Sequence, residues 1–314
     1  MTETQGNPES NQLQAGVTAE QLEAAVRSSG YPLQRVVAEE LLQDFRVTEE
    51  WGYIDRESKE HRTLDVFGFR RLSETTGLWL SAAVLVECKR SDLPYVFFEA
   101  AAPEVPREFP AVAGLHGKMP ELHVGGVGSR SAPVAEFLRL ADFGFVSKGP
   151  PVCSSFARTE RKGKELDLSG AVPFNQVVLP LVSALQHFMN QHKSVGSRDA
   201  VSACLALPIC VIDGPMVSVQ GGPEAPRLAM CPWVRVVRQE AAEERHWMSW
   251  RYYVVDFVHR AYLGTFIKNQ LLPFVDQFAE RALSREQLLR AGKASVPNFD
   301  AWTFQDLRPV GAAG

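Results

Sequence analysis

The sequence predicts an α/β (α+β) fold, a mixed central sheet flanked by helices and carrying a loop-rich insertion. Three observations lead there. An amphipathic helix followed by three strand-like segments on short turns occupies residues 33–89. A helix-then-strand pair returns at 174–212, and the interval between is interrupted by Pro and Gly. The organisation expected is a disordered tail at 1–16 and a single domain at 17–314. Within that domain, 94–173 reads as an inserted region and 260–314 as a C-terminal helical extension.

The polar tail gives way to a short helix at Thr18, with Glu20 and Glu23 near its start, where carboxylates suit the helix dipole. A second helix, from Leu33 to about Asp44, places Leu33, Val36, Val37 and Leu41 on one stripe, with Glu40 inside it. Strands follow at Val47–Ile54, Thr63–Phe67 and Leu78–Lys89. They are joined by a charged turn, Asp55 to His61, and by a turn through Ser73–Gly77. The third is the most apolar, as a central strand would be.

The insertion holds Gly125-Gly126-Val127-Gly128 but no phosphate-binding glycine fingerprint, and a helix is expected at Ala132–Ala141. A helix at Phe174–Gln191 and strands at Leu205–Ile212, Met216–Val219, Trp233–Gln239 and Arg251–Val258 come next. A helical stretch from Arg260 to Ala282 should kink or split at Pro273, and Ser284 should cap a short final helix.

Composition limits the function classes. The chain has 314 residues and a net charge of −4, which disfavours coating nucleic acid by bulk charge but leaves room for a local basic groove. Apolar runs such as Cys204–Ile212 are far shorter than the roughly 18–20 residues a membrane-spanning helix needs. The polar N-terminus lacks the apolar core of a signal peptide. A cytoplasmic protein with no membrane partner is expected. Five scattered cysteines without a C-x-x-C pair argue against a zinc site or a disulfide framework.

Chemistry concentrates in one triplet. Glu-x-Lys occurs at Glu57–Lys59, Glu87–Lys89 and Glu160–Lys162. The first and third lie in charged, solvated stretches. The second closes an apolar strand, where two charges are costly. Residues two apart share a strand face, so Glu87 and Lys89 project together while Cys88 faces away with Val84 and Val86. A turn centred near Thr75–Thr76 would set Asp65 almost opposite Glu87. Two carboxylates that close repel unless a cation lies between them, and oxygen ligands suit Mg²⁺ or Mn²⁺. The bland alternative is a structural salt bridge at a strand end, a poor source of stability when buried.

Asp65, twenty-one residues, then Glu87-Cys88-Lys89 resembles the PD-(D/E)xK nuclease superfamily, as does the order helix, three antiparallel strands, helix, strand. The proline that names the motif is replaced by Leu64. The resemblance implies that Asp65 and Glu87 are metal ligands and Lys89 the catalytic lysine, with the Cys88 backbone carbonyl as a further metal oxygen. It also implies an acidic residue on the first core helix, for which Glu40 is the candidate ahead of Glu39. Arg62, Arg70, Arg71 and Arg90 flank the hairpin and could touch phosphates. So could the basic run Arg158, Arg161, Lys162 and Lys164, otherwise a solvated loop.

Other features carry less. His187 and His192 share no helix face, Asp256 and His259 suggest a local hydrogen bond, and Asp213 reads as a turn residue. Cys153-Ser154-Ser155 lacks a nucleophile-elbow setting. Phe97-Phe98 and Trp247–Tyr253 read as core. The expected function is a metal-dependent nuclease hydrolysing phosphodiester bonds in DNA; the site residues alone do not separate DNA from RNA. The alternative is a catalytically inactive binding or assembly module of the same fold. A protein partner or homo-oligomer is not legible.

Overall fold

The computed structural model describes residues 4–311 except 56, 75–77, 115–118, 193–200, 223 and 242–249. Residues 4–17 carry no helix or strand. Helix α1 (Ala19–Ser28) starts on a capping box between Thr18 and Gln21, and α2 (Tyr31–Leu41) carries Pro32 in its first turn, where a missing N–H costs nothing. Strands β1 (Arg46–Ile54), β2 (His61–Glu74) and β3 (Leu78–Arg90) form the expected antiparallel meander. The turn residues Thr75, Thr76 and Gly77 lie outside the described residues.

The interval 94–173 is built differently from the loop-rich insertion the sequence suggested. It contributes β4 (Tyr95–Glu99), β5 (Ala111–Gly114), β6 (Glu121–Val124), β7 (Gly128–Ser131), α3 (Val134–Phe137), α4 (Gly144–Ser147), β8 (Val152–Lys162) and β9 (Glu165–Ser169). Strands β4 and β8 are integral to the main sheet, and the basic run from Arg158 is β8 and its tight turn into β9. Local pattern could not show this. Strand β4 is short, and the partners that set both strands in the sheet, Met216–Gln220 and Trp233–Ala241, lie far along the chain.

A continuous helical stretch then runs through α5 (Ala171–Pro173), a π turn at Phe174–Val178 and α6 (Leu179–Gln191). Strands β10 (Val201–Asp213), β11 (Met216–Gln220), β12 (Arg227–Met230), β13 (Trp233–Ala241) and β14 (Trp250–His259) follow. After them come a 3-10 turn at Arg260–Tyr262, α7 (Leu263–Phe266), a π turn at Ile267–Leu271, α8 (Leu272–Ser284) and α9 (Glu286–Ala291). Both π turns lead into a helix with proline in its first turn, Pro180 and Pro273. The ring cannot donate to the preceding turn, so the helix is restarted rather than continued. Ser284 is not the cap of α9: its hydroxyl donates to the Arg281 carbonyl, and Arg285 occupies the cap position. The C-terminal region is not wholly helical either, because β15 (Lys293–Ser295) joins β6 and β7 in a small second sheet.

Among the described residues the main sheet runs β1-β2-β3-β10-β14-β13-β8-β4-β11-β12. Strand β3 pairs in parallel with β10 from Leu78–Val201 to Arg90–Asp213. The other edge of β10 is shared between β5 and β14. Helices cover both faces, which is why β3 and β10 read as near-continuous apolar runs. On one face α2, α7 and α8 bury Leu33, Val37, Phe266 and Phe274 against Val84, Val86 and Cys88. On the other, α6 buries Leu181, Leu185 and Phe188 against Ala83, Leu85, Cys204 and Phe257. No helix among the described residues is long and apolar enough to cross a membrane.

The far half of the sheet is locked by Arg235 and Asp256, both essentially without solvent exposure. Arg235 Nε and Nη2 donate to the two Asp256 oxygens at 2.9 and 3.0 Å, Nη1 donates to the Phe145 carbonyl, and Trp233 Nε1 donates to Asp256 Oδ1. Asp256 is thus the partner of Arg235 rather than of His259, whose Nδ1 accepts from the Ala261 N–H. Of the aromatic stretches read as core, Phe97 and Tyr253 are buried and Tyr252 is 41% exposed. Trp247 lies outside the described residues.

Candidate active site at the end of the first hairpin

Paired residues in the β2–β3 hairpin end at Val66–Val86. Continuing that register sets Asp65 opposite Glu87, where the strands stop pairing. In the gap, the Cys88 N–H donates to Asp65 Oδ2 at 2.6 Å instead of to a main-chain carbonyl of β2. Cys88 packs with Val84 and Val86 on the α2 side, as strand alternation requires, while Lys89 Nζ donates to Glu87 Oε1 at 2.5 Å. The turn after β10 holds this end of β3 close: the Ser91 N–H donates to the Asp213 carbonyl, and a Cβ on Gly214 would fall 2.1 Å from the Ser91 carbonyl oxygen. Asp213, expected in the turn, is instead the last residue of β10, paired with Arg90, and it bonds Arg260.

The electrostatics of this notch are one-sided. Burial pushes the Glu87 carboxyl up to about 7, against the pull of Lys89 and with the help of Asp65 and Glu50. Burial also raises Asp65, opposed by the Cys88 N–H and by Lys89. For Lys89, burial pulls the ammonium down, but the Glu87 charge and hydrogen bond outweigh it and the net direction is up. Three negative groups therefore face one cation. Neither Asp65 Oδ1 nor Glu87 Oε2 receives a hydrogen bond from the described residues.

That donor set fits a hard divalent cation, since two carboxylates and the Cys88 carbonyl supply oxygen ligands and the notch carries excess negative charge. Asp65, Glu87 and Cys88 are the residues that would hold it. No group of three or more His, Cys, Asp or Glu side chains gathers in a metal-holding arrangement among the described residues.

Glu40 does not join the pair. Its helix packs on the sheet face opposite Glu87 and Lys89, and its carboxylate lies against Gly264 of α7. Its neighbour Glu39 is turned to Arg35 at 3.0 Å. The α2 side chain that reaches the site is Gln34, 5% exposed, whose Nε2 donates to the Asp65 carbonyl at 2.9 Å. Its signal was a polar residue beside Leu33, within the buried stripe.

The arginines are dispersed. Arg62 is exposed and 3.7 Å from Glu60, but its charge reaches Tyr53 beside Glu87. Arg70 is turned to the other face, 3.5 Å from Asp276 of α8, and Arg90 donates to the Arg27 carbonyl at the end of α1. Alternation places Arg70 with the α2 side of β2, which takes it away from a phosphate at Glu87.

Besides Gln34, the sequence reading missed Glu50 and Tyr53. Glu50 faces Asp65 across β1 and β2, at a φ of +52°. Both strands change face there: Val47 and Val66 pack on the α2 side, Trp51 and Leu64 on the α6 side. The buried Tyr53 hydroxyl has no hydrogen-bond partner among the described residues and is raised to about 12 by burial and by the Glu87 charge. Arg158 of the basic run stands across from Tyr95, whose hydroxyl also feels the Lys89 charge, and its guanidinium is 3.3 Å from Glu160. No family model, no curated protein and no solved structure matches the chain.

Proposed function

We propose that the chain is a metal-dependent nuclease of the PD-(D/E)xK type that hydrolyses phosphodiester bonds in DNA. The observation that carries the reading is the notch itself. A buried carboxylate, Glu87, a half-buried one, Asp65, and the Lys89 ammonium stand where β2 and β3 stop pairing, and Glu87 is raised to about 7. The order α2, β1–β2–β3, α6, β10, with β10 parallel to β3, supports it as the order the resemblance implies.

Mg²⁺ or Mn²⁺ at Asp65, Glu87 and the Cys88 carbonyl would supply Lewis acidity toward the scissile phosphate and a more acidic water. The chain's own residues do the rest. The Cys88 N–H fixes the Asp65 carboxylate, and Gln34 fixes the backbone beneath it. Lys89 holds a proton on Nζ while Glu87 is ionised and free. When Glu87 is neutralised, the attraction that raises Lys89 weakens while its burial persists, and the amine is drawn toward the neutral form that can accept a proton from water. The water oxygen bonds to phosphorus, the P–O ester bond breaks, and the departing oxygen takes up a proton from solvent. Arg62, whose charge reaches Tyr53 beside Glu87, would be the cation that meets the phosphate.

The test is cleavage of linear and circular DNA with Mg²⁺ or Mn²⁺. Lys89→Ala and Asp65→Ala should each lower the rate by roughly a thousandfold or more with the fold intact. Full activity in a folded Lys89→Ala variant would sink the assignment. A folded wild type that neither cuts DNA nor binds Mn²⁺ would point instead to the binding or assembly module.

A further inference from the structure

Where α8 gives way to α9 lies a cavity the nuclease reading does not use, about 650 Å³ in volume and within the range of small-molecule sites. The chain folds back to make it. After β15, Thr303 and Asp306 close a capped 3-10 turn, and two main-chain hydrogen bonds between Ser295 and Arg308 pin the returning segment. Leu307, Arg308 and Pro309 thereby face the end of α8 and the first turns of α9 across the cavity.

Two guanidiniums line this space without a carboxylate of their own. Arg285 Nη2 donates to the Phe304 carbonyl at 3.3 Å, and the group lies over the Phe304 ring at 4.9 Å, so a carbonyl and a ring hold the side chain in place. Its Nε is buried and has no hydrogen-bond partner among the described residues, a donor that folds seldom leave unmade. Arg308 Nη1 donates to the Gln305 and Leu307 carbonyls. The neighbouring acids serve other groups. Glu286 lies 3.7 Å from Arg290, and Asp306 feels the Arg308 charge but accepts at Oδ2 from the Thr303 N–H and hydroxyl. Among the described residues neither Arg285 nor Arg308 makes an ion pair. The lining also has an apolar part: Leu288 and Leu307 are buried, and Leu283 is 39% exposed.

We propose that this cavity binds a phosphate monoester, its dianion held by Arg285 and Arg308 and its organic group set against the leucines. A guanidinium presents its N–H donors as a fork, and one fork is enough for a carboxylate. Two guanidiniums without counter-charge match a group that carries close to two negative charges and three acceptor oxygens at neutral pH. The cavity is larger than a phosphate group, which leaves room for the rest of the ester. The inference does not rest on the nuclease reading.

Calorimetric titration of the full chain with phenyl phosphate, inorganic phosphate and benzoate tests it, in EDTA so that no metal carries phosphate to the Glu87 notch. Phenyl phosphate should bind at least tenfold more tightly than benzoate. It should also bind more tightly than inorganic phosphate, which offers nothing to the leucines. Arg285→Gln and Arg308→Gln should each weaken phenyl phosphate about tenfold, and Arg285→Lys, which keeps the charge but not the fork, should weaken it less than Arg285→Gln. A folded wild type that does not bind phenyl phosphate, equal affinity for benzoate, or affinity unchanged in both glutamine variants overturns the proposal. Arg308 is exposed, so its replacement remains a fair test even if Arg285→Gln fails to fold.

Discussion

The two halves of the central sheet each bury an ion pair, and the two pairs are opposites. Arg235 and Asp256 are bidentate, and the guanidinium also lies over Phe109, Phe145 and Trp233 within 4.5–5.6 Å of the ring centroids. Both Asp256 oxygens are held, and charge is balanced one for one. Glu87 and Lys89 meet through a single contact, with the charges of Asp65 and Glu50 added on the carboxylate side. A pair that completes its own coordination holds strands together. A pair left short of positive charge has its account closed by something that binds.

Breaking the satisfied pair should produce the largest change in stability. Arg235→Ala or Asp256→Ala strands a charge with no solvent around it, at a cost of about 3–5 kcal/mol. Urea denaturation should show the loss. A change below about 1 kcal/mol would mean the far pair is not the lock described.

The unsatisfied pair should respond to pH instead. A Glu87 carboxyl at about 7 when folded, against 4.5 when unfolded, keeps a proton that the unfolded chain releases. Its contribution is therefore undiminished below about pH 4.5 and is lost as pH rises through 7, by at most about 3 kcal/mol. Relative to Glu87→Gln, the wild type should lose stability between pH 5 and pH 8 without metal. Parallel pH profiles for the two proteins would contradict the buried, uncompensated carboxylate. The smallest effect belongs to Glu50→Gly. It relieves a left-handed φ of +52° and removes a charge facing Asp65, so it should stabilise the chain by about 1 kcal/mol. A lower denaturation midpoint would show that Glu50 is held by contacts rather than under strain.

The same contrast explains what was legible in the sequence. Alternation and short turns exposed β1–β3, and the Glu-x-Lys triplet stood out because it ends an apolar strand. Helix α6 and strand β10 followed from length and hydropathy. In the far half β11, β13 and β14 were legible as strands, but β4 and β8 were not, because β8 pairs with β13 across some eighty residues of chain and parallel partners leave no local mark. No pattern in the sequence marks Arg235 as buried, since its partner Asp256 lies on the neighbouring strand. Glu40 was misplaced because the stripe on α2 shows which residues are buried but not which sheet face receives them. The left-handed turn at Glu50 had no glycine to announce it.

The most direct test of the central contrast is Mn²⁺ binding followed by calorimetry at pH 8, with wild type, Asp65→Asn and Glu87→Gln compared. The account predicts that Mn²⁺ binds the wild type, raises its melting temperature and does neither in the two variants. Binding that is absent from a folded wild type, or unchanged in both variants, would contradict it.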